Sequence, residues 1–488
     1  MRECATIVSD APSTLPIPGA PHLTGEHLAG IVRGELLAAG ALPIRGGAVD
    51  SRRVARDDCF FALPGERTDG QRFLAQAVKA GAAALVLRDA PDPETLAGLR
   101  AMAAVTVIRV PDALLALQAS ARAWRARFDP LVIGITGSLA KTSTKEQTAE
   151  VLSQRWTVLR NEGNENNEVG LPLTVLRLLP THEAAVLEMG MYTAGEIALL
   201  SGIARPRIGV VTAVRGTHLS RAGSIEAIGR GKAQLVEALP PGGTAVLNAD
   251  DPRVIAMRER TSATILSYGF DSAADVRAEA PESLGEAGMR FTLRTPSGAT
   301  DVTTTALGRH SVHNALAAAA VGIAAGLTLP EISRGLAGGF RAAHRTALLR
   351  AGAWRIVDDS YNAAPDSMVA ALELLGTLGG RRVAVLGEML ELGDAAYEAH
   401  RAVGRRSAGL TDLLVTVGSG AGGIAEGARG AGLSPGSVHE VSDRDEALTL
   451  LSRMLRPGDA VLVKASRGVA LDLLVDGLVA AGQAAVTA

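Results

Sequence analysis

Aromatic residues are scarce in this chain: Trp, Tyr and Phe make up 3% of 488 residues, with four tyrosines in all. Ala and Gly are plentiful, so small and aliphatic side chains must fill the cores. The two cysteines, Cys4 and Cys59, give neither a disulfide framework nor a metal-ligand spacing, which fits a reducing cytoplasm. A net charge of -2 removes the electrostatic case for binding nucleic acid or an anionic membrane. Long apolar runs are missing too. The longest, from Ala315 to Leu329, is short of the ~18–20 residues that span a bilayer and reads as a buried helix, so no membrane insertion is expected. The stretch from Asp10 to Pro21 is acidic and Pro-rich rather than charged-then-apolar, so residues 1–20 read as a loose or disordered lead-in, not a signal peptide. What is present is 47% apolar content and a mean hydropathy of +0.20, as expected of α/β units with buried sheets.

The length implies two to four domains. Helix and strand signals alternate to the end, the pattern of α/β domains with largely parallel sheets. The first unit runs to residue 112, with a strand at Cys59 to Leu63, a turn at Pro64 to Gly70, a helix at Gln71 to Ala80 and a strand at Ala82 to Leu87. A second unit, 113–342, opens with a helix from Ala113 to Phe128. Its strands are short apolar runs that stop at polar residues: Ala184 to Leu187 at Glu188, Ile208 to Val211 leading to Thr217 and His218, and Thr244 to Leu247 at Asn248. Ligands of open parallel sheets bind at the carboxyl ends of strands, so these polar stops are expected around one crevice. Residues 274–306 read as a β-rich insertion. The third unit, 343–488, has strands at Trp354 to Val357, Arg382 to Leu386, Leu413 to Val417 and Ala460 to Val463.

The densest chemistry lies just after the apolar run Leu131-Val132-Ile133. Gly137-Ser138-Leu139-Ala140-Lys141-Thr142-Ser143, followed by a helix-forming stretch, is the arrangement that cradles nucleotide phosphates. Backbone N–H groups ring the phosphates, Lys141 neutralises charge and the Thr142 hydroxyl reaches magnesium. Ala140 occupies a place where glycine is usual, and a non-glycine residue in the left-handed region costs roughly 1–2 kcal/mol. Glu188 and His218, at two strand ends, suit Mg²⁺ or its waters, or else a helix cap and an ordinary loop histidine. Lys232 lies on an apolar stripe with residues 225, 228, 235 and 239. It either snorkels to water or is desolvated, and a neutral amine there can add CO₂ to become a carbamate. Asn164, Asn166 and Asn167 form a turn cluster or grip a sugar or peptide. Asp359-Ser360-Tyr361-Asn362, running on to Ser367, is an acidic turn with Ser367 as N-cap, or a binding segment that uses one of the few tyrosines.

In this order, from about residue 45 to residue 475, the motifs resemble the Mur ligase family of peptidoglycan precursor synthesis. The resemblance implies three domains: an N-terminal uridine-nucleotide-binding α/β domain, a central P-loop ATPase-like parallel-sheet domain, and a C-terminal Rossmann-like domain. It makes Glu188, His218 and a carbamoylated Lys232 the metal ligands, with Thr142. It makes Asn248 in Leu-Asn-Ala-Asp-Asp and Asn314 in Gly-Arg-His-Ser-Val-His-Asn the adenine-side contacts. Arg345 and Asp359 become the nucleotide contacts of the third domain. Three signatures are similar to the MurF-type branch: Asp359 to Ser367, Leu386 to Gly393 with a later His400, and Asp50-Ser51-Arg52 with Phe61 to Gly70, the last shared with the MurE type. The branch implies ATP and Mg²⁺ as cofactors. It implies UDP-N-acetylmuramoyl-tripeptide and D-alanyl-D-alanine as substrates, joined through an acyl phosphate, and a cytoplasmic monomer as the working form. Asp50, Ser51, Arg52, the three asparagines, Tyr361, Asn362 and Ser367 would touch substrate. A MurE-like ligase with a single amino acid as acceptor, and a weakly active or non-catalytic ATP-binding paralogue, are the alternatives. Ala140, Ala213, Ser311 and Ala465 depart from the family pattern, each replacing a Gly or an Asn.

Overall fold

The computed structural model describes residues 21–65, 68–216, 223–340 and 342–487, with side chains to Gln483. The residues to Asp129, with Pro172–His182, form one compact unit; Pro130–Leu171 and Glu183–Ala488 form another.

In the first unit β1 (Glu35–Ala38), β2 (Gly46–Ala48), β3 (Asp58–Phe61), β4 (Ala84–Leu87) and β5 (Thr106–Arg109) make one sheet in the order β1-β5-β4-β3-β2. Only β1 runs antiparallel. β3 and β4 are buried along their whole length, which is why they read as continuous apolar runs rather than alternating ones. The helix Ala113–Arg125 corrects the expected boundary between 112 and 113. Asp112 caps it, accepting from the N–H groups of Leu114 (2.8 Å) and Leu115 (3.0 Å). Its buried face of Ala116, Leu117, Ala121 and Trp124 packs on β3 and β4 of the first sheet. Trp124 Nε1 donates to the Leu178 carbonyl within the same unit, at 3.1 Å. An N-cap after a strand looks like a domain junction in sequence; the helix closes the first unit instead of opening the second.

The second unit holds two sheets. β6 (Leu131–Thr136), β7 (Val158–Arg160), β8 (Ala184–Glu188), β9 (Ile208–Val211), β10 (Thr244–Asn248), β11 (Thr264–Gly269), β12 (Val276–Ser283), β13 (Met289–Thr295) and β14 (Gly298–Thr304) lie in the order β14-β13-β12-β11-β10-β9-β6-β8-β7. The strands from β7 to β12 are parallel, and β13 and β14 extend the edge antiparallel, which accounts for the β-rich segment. Chain order reverses at β6, so the crevice at its carboxyl end is the place for a ligand. The Ala-rich run is a buried helix, as its composition suggested: Arg309–Ala324 packs with the helices Lys141–Leu152 and Leu329–Ala337. Small residues allow the close approach. A Cβ on Gly335 would collide with the Val151 backbone.

β15 (Ala347–Ala351), β16 (Trp354–Asp358), β17 (Arg382–Gly387), β18 (Leu413–Val417), β19 (Val438–Val441) and β20 (Ala460–Lys464) form the last sheet, in the order β15-β16-β20-β17-β18-β19. All pairs are parallel except β15–β16. The four strands foreseen here are β16, β17, β18 and β20. The short or half-exposed edge strands β15 and β19 carried too little apolar signal to be read.

Candidate active site

The phosphate loop leaves β6 through Gly137, where any Cβ would overlap the Thr212 hydroxyl. Ala140 sits at the N-cap of helix Lys141–Leu152 with φ 63° and ψ 5°, squarely in the left-handed region that glycine usually fills. Neighbouring segments hold the loop in place. Thr212 Oγ1 donates to the Leu139 carbonyl at 2.6 Å, and Ser138 Oγ accepts from the Arg215 N–H at 2.9 Å. Lys141 folds back to the Gly137 carbonyl, Nζ to oxygen 2.8 Å. Burial holds its ammonium below the ordinary range; Glu188 opposes that and Arg345 adds to it.

Glu188, at the end of β8, is wired to this loop. Its Oε2 accepts from Thr142 Oγ1 at 2.8 Å and its Oε1 from Asn166 Nδ2 at 2.7 Å. Asn161 fixes its backbone from both sides, accepting from the Glu188 N–H (2.9 Å) and donating to its carbonyl (3.0 Å). Buried Lys145 in turn holds the Asn161 carbonyl at 2.5 Å. A hydroxyl beside a carboxylate oxygen, next to the phosphate loop, is a hard-oxygen donor pair that fits Mg²⁺. Lys232 is 4% exposed, so the snorkelling alternative falls away. Burial, with the charge of Lys141 second, pushes its ammonium well below the usual lysine range. His218 lies outside the described residues. Among the described residues no three His, Cys, Asp or Glu side chains cluster to hold a metal.

At the end of β10, Asn248 Nδ2 donates to the Thr212 carbonyl at 2.7 Å, and its Oδ1 accepts from the Asp250 N–H at 2.9 Å. His313 Nε2 lies 3.2 Å from both Asn248 Oδ1 and Asp250 Oδ2. Both are acceptors, so the proton sits on Nε2. Asn314, on the same helix, lines the cleft alongside Phe270 and Arg309, whose guanidinium stacks 4.1 Å over the Phe270 ring.

The last sheet supplies the facing wall. Lys464 Nζ bonds Asp359 Oδ2 at 2.6 Å and the Asn362 carbonyl at 2.9 Å. Arg345 lies 4.2 Å over the ring of Tyr361. Ser367 is not the N-cap of helix Pro365–Gly376. That position is Ala364, and Ser367 Oγ reaches back to accept the Ala364 N–H at 3.0 Å. Pro365 at the first helical position puts the N-cap three residues upstream of the serine. The residues from Ser138 to Ser143, Asn164, Asn166, Asn167, Glu188, Asn248, Asn314, Arg345, Asp359, Tyr361, Asn362 and Ser367 all line one cleft of about 740 Å³. Asn167 also serves the turn, accepting from the Gly170 N–H at 2.8 Å. Lys232 is buried and is not part of this lining.

Asp50, Ser51 and Arg52 belong to the first unit. Arg52 forks onto Asp50 at 2.9 and 2.7 Å, which lowers the carboxyl below its usual range, and Ser51 Oγ donates to Gln76 Oε1 at 3.1 Å. The family departures are accommodated by local packing. The Ala213 carbonyl accepts the Ser138 N–H at 2.7 Å, and Ser311 Oγ donates to the Gly308 carbonyl at 2.7 Å. Buried Ala465 packs so close to Gly387 that only glycine fits there. Asn161, Lys145, Arg215 and His313 were missed by sequence reading; Lys464 had a signal, a lysine that ends an apolar strand.

A phosphate loop at the switch point of a parallel sheet, faced by a second α/β sheet whose strand ends carry cations and carboxylates, defines a nucleotide-dependent enzyme that works between two domains. Family models match in three places: the Mur ligase family catalytic domain over residues 43–125, the Mur ligase middle domain over 135–322, and the Mur ligase glutamate ligase domain over 344–467. The UDP-N-acetylmuramoyl-tripeptide–D-alanyl-D-alanine ligase of Mycobacterium tuberculosis is 39% identical over 471 residues, covering 88% of this chain and 91% of the relative. The chain belongs to the Mur ligase family. Among solved structures, MurF from Acinetobacter baumannii superposes with a TM-score of 0.84 at 30% identity, over 94% of this chain and 99% of that one. MurF ligase from Thermotoga maritima in complex with ADP gives 0.78 at 26% identity, over 90% and 98%. The first family match runs to residue 125 and so includes the helix that the fold assigns to the first unit.

Proposed function

We propose that this chain is the ligase that joins D-alanyl-D-alanine to UDP-N-acetylmuramoyl-tripeptide with ATP, in peptidoglycan precursor synthesis. The observation that carries the reading is the Thr142–Glu188–Asn166 chain beside Lys141, in the same cleft as Arg345, Tyr361 and Asp359. The names of the relatives supply the substrates. The peptide's terminal carboxylate takes the γ-phosphoryl of ATP to give an acyl phosphate and ADP. The dipeptide amine attacks the acyl carbon, a C–N bond forms and phosphate leaves. On nucleotide binding Lys141 exchanges the Gly137 carbonyl for phosphate oxygens and, with the loop N–H groups, offsets the charge that develops. Arg345 and Asp359 would hold the nucleotide from the C-terminal side, Asn248 and Asn314 from the adenine side. Asn248 does so with its amide already oriented by Thr212 and His313.

Thr142 and Glu188, with His218 and Lys232, would hold Mg²⁺, which when bound would neutralise phosphate charge. Lys232 suits a carbamate because burial disfavours its charged ammonium and so favours the neutral amine. The nitrogen adds to CO₂ and loses a proton, leaving an anion. Lys232→Ala should therefore lose most activity and regain part of it with added short carboxylates; full activity in that variant would remove the carbamate. In a division of labour among three domains, Asp50, Ser51 and Arg52 would hold the uridine end of the acceptor peptide. No helix among the described residues is long and apolar enough to cross a membrane. Nucleotide and dipeptide substrates support a cytoplasmic reaction, and a cleft built from one chain supports a working monomer.

The test is phosphate release from ATP and UDP-N-acetylmuramoyl-tripeptide, with and without D-alanyl-D-alanine. Release that depends on the dipeptide is expected. Equal release with single amino acids, or none with the dipeptide, would sink the reading.

A further inference from the structure

Two segments lie on the same cleft without a part in phosphoryl transfer. One follows β17, at 388–392; the other follows β20, at 465–468. The strands are neighbours, and the two loops are fastened to each other. The Ser466 N–H donates to the Glu388 carbonyl and Ser466 Oγ accepts the Leu390 N–H, both at 2.9 Å. A Cβ on Gly468 would already touch Leu390. Buried His400 holds the first loop from behind. Its Nδ1 donates to the Ala396 carbonyl at 2.6 Å, so its Nε2 is the acceptor for the Met389 N–H at 2.9 Å. The Glu388 carboxylate accepts the Gly420 N–H at 2.8 Å. So many anchors hold Glu391 in the left-handed region at φ 65°, where a residue with a side chain is not stable alone. The result is a rigid wall with Leu390 and Leu392 facing the cleft.

Arg467 stands at the end of this wall. It lies 5.7 Å from the Tyr361 ring, which Arg345 also stacks against at 4.2 Å. The two arginines differ in what they face. Arg345 lines the cleft together with Lys141 and the phosphate loop and has its guanidinium over the Tyr361 ring, which suits it to the phosphate side. Arg467 has one guanidinium nitrogen, Nη1, on Asp472 at 2.9 Å, and its side chain is 59% exposed, so the planar fork keeps donors for another carboxylate. Of the three substrates, the small dipeptide needs its own recognition: two methyl groups and a terminal carboxylate.

We propose that Arg467 grips the carboxylate of the incoming dipeptide, with Leu390 and Leu392 against its methyl groups. This rests on the dipeptide-ligase reading above. Steady-state phosphate release should be measured for wild type, Arg467→Gln and Arg467→Lys, with D-alanyl-D-alanine and with its C-terminal amide, and thermal midpoints compared alongside. Wild type should prefer the carboxylate by about 100-fold in kcat/KM, the scale of one desolvated charge pair. Arg467→Gln should raise the dipeptide KM by about that factor, leave the KM values for ATP and the nucleotide-peptide within about threefold, and treat acid and amide alike. Arg467→Lys, which keeps charge without the fork, should fall between. If Arg467→Gln, folded, still prefers the acid by the wild-type margin, or if ATP KM rises as much as dipeptide KM, the proposal is wrong while the ligase reading stands. A wild-type chain that turns over no dipeptide overturns both.

Discussion

Ala140 is the residue whose backbone contradicts its side chain. At φ 63° it carries a cost of roughly 1–2 kcal/mol that glycine would not. It also leaves a methyl group where phosphate must approach. Ala140→Gly should lower the ATP KM several-fold and shift stability by less than about 1 kcal/mol, because the greater freedom of unfolded glycine offsets the relieved strain. Initial rates at varied ATP, with a denaturant titration, check both. Asp58 carries a different tension. Burial raises its carboxyl from 3.8 to about 6, and its Oδ2 accepts the Ala55 N–H at 2.8 Å. The native state therefore holds a proton that the unfolded chain releases near pH 4. The contribution of Asp58 to stability is fully present below that pH and is lost as pH rises through 6, by about 3 kcal/mol at the upper end. Asp58→Asn keeps an acceptor and never ionises. Its thermal midpoint should exceed wild type at pH 7.5 by several degrees and match it at pH 4.

At the scale of elements, Arg215 ties three of them together. Its guanidinium bonds fully buried Asp251 at 2.5 Å and exposed Asp366, at the start of helix Pro365–Gly376, at 2.6 Å, while its backbone receives Ser138 of the phosphate loop. The two ion pairs should separate on mutation. Arg215→Ala strands a buried carboxylate and should cost about 2–3 kcal/mol. Asp366→Asn touches the exposed half, should cost under about 1 kcal/mol, and should raise ATP KM with little loss of stability. Urea unfolding beside initial-rate kinetics distinguishes them. Such ties show why the site was only partly legible in sequence. Glu188 and Asn248 could be found because each terminates a short apolar strand, and Lys141 because it closes the small-residue loop that follows one; strand ends in a parallel sheet share one edge. Lys232 could be found because a cation on an apolar helical stripe breaks its period. Asn161 beside Glu188, and Arg215 beside Asp366, bring together residues far apart in the chain, and periodicity is blind to pairing. The helix Ala113–Arg125 shows the same limit. Its pattern marks which face is apolar, not which sheet that face covers.

At the scale of the whole molecule, three sheets of mostly parallel strands are each buried on their central strands, and most of the chemistry sits on loops beyond the strand ends. This separates what must be rigid from what must be specific. The Cβ-excluding contacts at Gly137, Gly335 and Gly387 fix the scaffold, and the polar loops face the cleft. Two further bridges join the second and third sheets. Glu286, in the turn that leads from β12 into the β13–β14 hairpin, binds Arg350 at 2.7 Å and Arg355 at 2.6 Å. That hairpin also bears on how crowded this protein can safely become. A nine-stranded sheet ends in two rows of unpaired backbone groups, each an invitation to another copy. Here one end is β7, three residues long, and the other is β14, where Asp301 and Thr303 are exposed and helix Leu329–Ala337 lies alongside. Short at one end, charged and screened at the other, this sheet offers little edge for another copy to pair with.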